Sequence, residues 1–329
     1  MNISSARKNF WISRICAFAG LALCATMAFA TYPEKPIHFV VPYGAGGSAD
    51  AMARILGQHM TERMGQPVVV ENRGGASANI GTNYVAKSKG DGYTILLATS
   101  TALSVNPLIF KDLPFDPQKD LRPLILAATL PNVVVVSKNI KADSLAELNA
   151  LLKRDPARRT YASVGNGSPS HLGAELYKRV VGVDLAQVPY KGGSAALQNL
   201  VSGQPTFMIA AMPDTMPLVK SGQLKTLAVT TKERLKDYPN LPTVSESVFP
   251  DYELIAWYGI LAPAGVPDAI VQRLNFALND ALKDPEIAGK FKAMGFDLVG
   301  GPPSTLGNLM RSETTKWKQV IDAANIKAQ

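Results

Sequence analysis

The chain has 329 residues, 47% of them hydrophobic and 18% charged. That balance excludes a disordered polymer and leaves room for two domains of a compact α/β protein. The formal net charge is +8, but lysines and arginines are interspersed with acids, so the excess points to no nucleic-acid partner.

Residues 1–30 read as a secretory signal. Arg7, Lys8 and Arg14 form a basic start, Ile15–Met27 an apolar core, and Ala28-Phe29-Ala30 a small-x-small cleavage site near Ala30. The segment is too short and wrongly flanked to be a good membrane span. Cleavage would remove three positive charges and leave +5 on a periplasmic chain starting near Thr31. Both cysteines, Cys16 and Cys24, lie inside it. Leu23 precedes Cys24 where lipid-attachment sites have a small residue, so a free protein is expected. The mature chain holds no disulfide, thiolate metal site or cysteine nucleophile.

A short apolar strand (Ile37, Phe39, Val40, Val41) runs through Pro42 into the loop Tyr43-Gly44-Ala45-Gly46-Gly47. Met52, Ile55, Leu56 and Met60 then recur at helical spacing, which starts a helix near Ser48. Bare N–H groups at a helix N-terminus can hold an anion. The same residues also suit an ordinary strand–helix turn. Pro67–Glu71 reads as a second buried strand, Asn72-Arg73-Gly74-Gly75 as a loop, and Ile80, Tyr84 and Val85 as one face of a short helix. Gly90-Asp91-Gly92 is a turn before the strand Tyr93–Ala98. This β-α-β-α-β rhythm predicts a parallel sheet covered by helices. Thr99, Ser100 and Thr101 follow the third strand, where open sheets bind ligands and where hydroxyls also cap helices.

Leu124–Thr129 and Val133–Ser137 are two apolar runs broken at Leu130-Pro131-Asn132, able to carry the chain between domains. Ser144 with Glu147 matches a capping box for a helix through Lys153. Tyr161–Val164 predicts a strand, followed by Gly165-Asn166-Gly167-Ser168-Pro169-Ser170 and a helix bearing His171, Leu172, Leu176 and Val180. Leu185–Val188 leads to Pro189-Tyr190-Lys191-Gly192-Gly193 and a helix from Ser194, a third turn of the opening type. Phe207–Ala211 and Leu224–Thr230 are further strands, and Leu254–Leu261 can return the chain to the first domain. Asp268 is read as a helix cap, and the last helix holds Leu306, Leu309, Met310, Trp317 and Ile321.

No HExxH, CxxC, EF-hand, phosphate-loop or G-x-S-x-G pattern is present. No catalytic residue, metal or cofactor is expected, although Ser168 or Ser170 could serve a hydrolase that had a distant base. His38 is read as a packed or edge residue and His59 as a surface one. His171 either donates to a ligand or caps its helix. Arg54 and Arg73 are possible anion partners that by default stay solvated.

Taken together and in order, Tyr32–Ile37, Pro42–Asp50, Val70–Gly75, Asp91–Thr94, Gly165–Ser168, His171-Leu172, Pro189–Gly193, Ser221-Gly222 with Leu227–Val229, and Leu261–Gly265 resemble the Bug-type periplasmic solute receptors of tripartite tricarboxylate transporters. The resemblance implies a type II periplasmic-binding-protein (Venus flytrap) fold, each domain a mainly parallel sheet flanked by helices. Residues 31–130 and 255–329 would form domain 1 and residues 131–254 domain 2, with a small carboxylate between them destined for a membrane permease. It implies that Tyr43–Ser48 holds a ligand carboxylate beside Thr99–Thr101, with Asp50 organising the loop. Asn166, Ser168, Ser170, His171, Tyr190 and Lys191 would face them. Similar receptors often carry acids where this chain has Thr206 and Ala210. The departure suggests a di-, tri- or aromatic carboxylate without an ammonium group, unless Asp214 substitutes. A monomer is expected. A signalling receptor or, less favoured, a periplasmic enzyme are the alternatives.

Overall fold

The computed structural model describes residues 32–250 and 252–327; the expected signal segment, residues 1–30, lies outside them. Ten strands form one mixed sheet: β1 (Ile37–Val41), β2 (Val68–Asn72), β3 (Thr94–Thr99), β4 (Leu121–Ser137), β5 (Thr160–Ser163), β6 (Ala186–Pro189), β7 (Phe207–Ala211), β8 (Leu224–Val229), β9 (Ile255–Pro263) and β10 (Asp297–Leu298). The longer helices are α1 (Ser48–Met64), α2 (Asn79–Ala86), α3 (Leu145–Arg154), α4 (Pro169–Val181), α5 (Gly193–Ser202), α6 (Met212–Lys220), α7 (Asp268–Lys283), α8 (Pro285–Ala293) and α9 (Pro303–Ala324).

The sheet order is β2-β1-β3-β9-β4-β7-β5-β6, with β8 and β10 also paired to β4. β1 is parallel to β2 and β3, and β5 is parallel to β6 and β7, whereas β4 and β9 run antiparallel to their neighbours. Helices cover both faces. On β1, Ile37, Phe39 and Val41 enter the cluster under α1 and α7, while Val40 enters the opposite one with Trp257 and Leu306. A strand buried on both sides must be apolar nearly throughout, which is why its sequence reads as a run. Met52, Leu56 and Met60 of α1 are fully buried, and each contributes about 1.5–3 kcal/mol of burial free energy.

The two apolar runs at 124–129 and 133–137 are a single strand. β4 continues unbroken through Pro131 because that residue faces Ile255 on β9 without interrupting the chain's extended path. Its first part pairs with β9 and its last with β7 and β8. α9 is shared in the same way: Leu306 and Met310 pack with Trp257, whereas Trp317, Val320 and Ile321 pack with Tyr177 and Tyr252.

Local expectations also need correction. β2 is an edge strand with a half-exposed face rather than a buried one, because only β1 flanks it. Ile80 and Tyr84 lie outward on α2, and Val85 and Thr82 are the buried side; Tyr84 instead carries the Arg73 guanidinium over its ring. Ser144 caps α3 by accepting the Glu147 N–H, but Glu147 reaches back to the Asp143 N–H, so the box is displaced by one residue. Asp268 makes no cap; it pairs with Arg122. His59 is largely shielded, with Nδ1 buried and unpaired and Nε2 3.7 Å from Asp280.

Candidate functional site

β1 ends at Val41, and the chain turns through Tyr43–Gly47 into α1. Gly46 has φ +84°, a left-handed conformation natural to glycine. Gly47 is the N-cap of α1 in extended conformation and provides no side-chain cap. Asp50, one turn in, supplies what is missing: its Oδ2 accepts from the Gly46 N–H at 2.9 Å and from Arg54 Nε at 3.0 Å. Arg54 continues to Asn72 Oδ1 at 3.3 Å, and Asn72 Nδ2 donates to the Tyr43 carbonyl at 3.3 Å. The loop is therefore tied at both ends by one ring of polar contacts. Arg54, hydrogen-bonded to the carboxylate, pulls the Asp50 pKa down to about 2 against the opposing cost of burial, and the Gly46 N–H assists. Arg54 and Asn72 thus serve the loop.

Among the described residues no protein acceptor takes the N–H groups of Gly44, Ala45, Gly47 or Ser48, and all four residues are exposed. Tyr43 OH meets Thr99 Oγ1 at 2.6 Å, so the end of β3 touches this loop directly. Ser100 is buried, and Thr101 begins a single π-helical turn, Thr101–Val105.

Sequence reasoning missed the neighbouring turn. Ala76, Ser77 and Ala78 are three successive residues with positive φ (46°, 56° and 76°). Such strain persists only where surroundings impose it and gathers at functional sites. Asn106 imposes it here, donating from Nδ2 to the Ser77 carbonyl and to Asn79 Oδ1, both at 2.8 Å. Upstream, a Cβ on Gly74 would lie 3.4 Å from Gly44 N, so the two loops run side by side. Only the small residues from Gly74 to Ala78 hinted at this, since alanine and serine give no left-handed signal.

In the other half, β5 ends at Ser163 and the Gly165–Ser168 loop enters α4. Ser168 caps α4, accepting from the His171 N–H at 3.3 Å and donating to the Gly165 carbonyl at 2.7 Å. Ser170 Oγ accepts from the Val164 N–H at 3.1 Å. Asn166 donates to the Lys327 carbonyl at 3.2 Å. Asn166 aside, these contacts are internal to the turn: the N–H groups of Val164, Gly165, Gly167 and Ser168 all find acceptors within it. A Cβ on Gly167 would lie 2.7 Å from Ile109 Cδ1, so this loop meets the segment following β3.

His171 is buried and stacked against Tyr161, and its Nδ1 accepts from the Gly167 N–H at 3.1 Å. Nδ1 is thus engaged within the turn that Ser168 caps. Burial holds its pKa below the ordinary 6.5, with Lys178 adding to the fall and Glu175 opposing it; Tyr161 is the other titratable neighbour. A proton on Nδ1 would remove the acceptor. Ligand affinity is therefore expected to weaken about five- to tenfold as pH falls below 6.5 through the lowered value, the worth of one buried hydrogen bond. Stability falls over the same window, because the unfolded chain takes up the proton more readily. Titration calorimetry across pH 5–7.5 (about the span that matters for histidine) checks this, and His171→Asn, with an oxygen in place of Nδ1, should flatten the profile.

Tyr190 follows β6; its hydroxyl is shielded and has no hydrogen-bond partner among the described residues, and Lys191 beside it is exposed. Ala210 packs into the apolar cluster with Val133, Met208 and Met212 and is 7% exposed. An alanine facing that cluster offers a ligand nothing beyond shape. Thr206 is likewise fully buried. Asp214 lies in the first turn of α6 and is exposed, though partial desolvation lifts its carboxyl above the usual range.

A family model described as the tripartite tricarboxylate transporter family receptor matches residues 52–326. Protein BugT of Bordetella pertussis is 35% identical over 312 residues, covering 94% of this chain and 95% of BugT. A protein of R. palustris solved with adipate superposes with a TM-score of 0.77 at 34% identity, covering 90% of this chain and 99% of the other. MatC from Rhodopseudomonas palustris with bound malate gives 0.74 at 29% identity, with 88% and 100% covered.

Proposed function

This chain belongs to the tripartite tricarboxylate transporter receptor family, and from that premise we propose that it captures a small carboxylate in the periplasm and hands it to a membrane permease. Residues 31–130 with 255–329 would act as one domain and 131–254 as the other, closing over the ligand as β4 and β9 flex. The observation that carries the reading is the row of N–H groups at the exposed residues Gly44, Ala45, Gly47 and Ser48, which have no protein acceptor among the described residues, on a loop tied down by Asp50. Such donors replace the hydration of an oxyanion without adding a countercharge. The adipate and malate in the two relatives' structures support a carboxylate as ligand. We further propose that residues 1–30 are cleaved near Ala30, that the mature protein is a monomer without nucleic-acid partner, and that it performs no catalysis.

Thermal-shift and calorimetric titration with adipate and malate test this. At a hundred times its Kd a ligand should add about 2.7 kcal/mol of stability. The informative variant is Gly47→Val. A Cβ there finds no neighbour closer than 3.9 Å and φ is −84°, so the fold tolerates it. We expect a stability cost of about 1 kcal/mol from the poorer N-cap. The covered donors should lower affinity by about 100-fold or more. Unchanged affinity in Gly47→Val would remove the first loop from the site.

A further inference from the structure

A second cavity, of about 530 Å3, lies between α2, the segment 109–114 and Lys327. Among the described residues, none of the Tyr43–Ser48, Thr99–Thr101 or Gly165–Ser170 segments lines it. Its size suits a small organic molecule. One wall is apolar, made by Ile80, Ile109, Phe110 and Leu113, and Ile80 is 56% exposed. The walls are anchored. The Phe110 N–H donates to the Asn106 carbonyl at 3.0 Å, and a Cβ on Gly167 would lie 2.7 Å from Ile109 Cδ1. The Lys327 carbonyl accepts from Asn166 at 3.2 Å.

The polar wall is made of donors. Asn79 and Asn83 stand one turn apart on α2, on the same side of the helix, and both line the cavity. Asn79 is 8% exposed, and its Oδ1 is committed to Asn106 Nδ2 at 2.8 Å. Its own Nδ2 points elsewhere and has no acceptor among the described residues. Asn83 has no side-chain hydrogen bond among the described residues, and its Oδ1 is shielded, which leaves Nδ2 as the group able to face the cavity. Lys111 and Lys327, both exposed, outnumber the one acid of the lining, Asp112. Amide donors and ammonium groups recognise an oxyanion, and the facing hydrocarbon wall has nothing to offer a second charge. We infer that this cavity binds a monocarboxylate with a compact apolar body, apart from the carboxylate proposed for the first loop.

Titration calorimetry with phenylacetate, 2-phenylethanol and acetate tests this. The wild-type protein is expected to bind phenylacetate about tenfold or more tightly than the alcohol, which lacks the charge, or acetate, which lacks the body. Gly47→Val, which covers the first loop, should leave phenylacetate affinity within about twofold. Asn83→Leu should weaken it about three- to tenfold. Its thermal midpoint should be no lower than wild type, because the change removes a shielded oxygen that has no partner. Lys111→Glu, at an exposed side chain, should weaken binding by a similar factor and serves where Asn83→Leu disturbs the fold. Phenylacetate binding that is absent from the wild type, no tighter than that of 2-phenylethanol, lost in Gly47→Val, or unchanged in either folded cavity variant overturns the inference. The first-loop reading stands or falls separately, on the adipate and malate titrations.

Discussion

Asp50→Ala is expected to abolish measurable carboxylate binding, a fall of about 100-fold or more, and to cost about 2–3 kcal/mol of stability. The carboxylate is 4% exposed and joins Gly46, Arg54 and, through Arg54, Asn72. Truncation leaves the Gly46 N–H and the Arg54 guanidinium without their acceptor, and the loop with it. Asp50→Asn should lie between, keeping an acceptor but losing the charge. The lowered pKa adds a pH signature. Its contribution, about 1–2 kcal/mol after allowance for solvent reaching Arg54, is complete above pH 4 or so and is lost as pH falls toward about 2. Denaturant titration at pH 7 and at about pH 3, which lies within the shift, should show the wild type losing somewhat under half of this increment and Asp50→Ala having none to lose. Equal losses would mean the ring is not what holds the loop.

Gly81→Ala is expected to be strongly destabilising, at about 2–3 kcal/mol. Its Cβ would lie 2.6 Å from the Arg73 carbonyl oxygen and 2.8 Å from Pro42 Cβ. Neither can yield cheaply: Pro42 terminates β1, and the Arg73 N–H is held by the Val41 carbonyl at 2.8 Å. The Tyr43–Gly47 loop and the Gly74–Ala78 turn both leave from this spot, so binding at the proposed site should weaken together with the urea midpoint. Gly289 on α8 is the control. An added Cβ there meets nothing within 4 Å, and Gly289→Ala should stabilise by about 0.5–1 kcal/mol. A Gly81→Ala midpoint equal to wild type would show that the two loops can shift without penalty.

Much of the fold was legible because its strands are apolar runs and its helices begin at small or proline-containing turns. Ile37–Val41, the helix from Ser48, and Phe207–Ala211 appear where the pattern placed them. The misreadings have a common cause: neighbours, not local sequence, decide exposure. Val69 looks as buried as Val40 in the sequence, yet β2 has one flanking strand and β1 has two. Pro131 looked like a breaker because a lone proline usually is; in β4 it sits where the strand passes from one set of partners to another. At the candidate site the glycine loops were visible, but their support was not. Asn72, Arg54 and Asn106 lie far from each other in sequence and acquire their roles only when β1, β2 and β3 align. Likewise the sequence offers Ser168, Ser170 and His171 as polar groups beside a glycine loop, but not the contacts by which they hold that turn from within.

The shared strand has a consequence for the order in which the chain can fold. The first half contains β1, β2 and β3 within its opening hundred residues, but β3 pairs with β9, and β9 is more than 150 residues further on. The face opposite α1 stays open until Leu306 and Met310 of α9 arrive. Pairings of such high sequence separation form late, after a large loop-closure cost. A chain emerging from its N-terminus therefore cannot bury its earliest strands until its last quarter exists. For a chain exported unfolded, as proposed above, this delay would be useful: the strands about which the two proposed domains would flex would also keep the nascent protein export-competent.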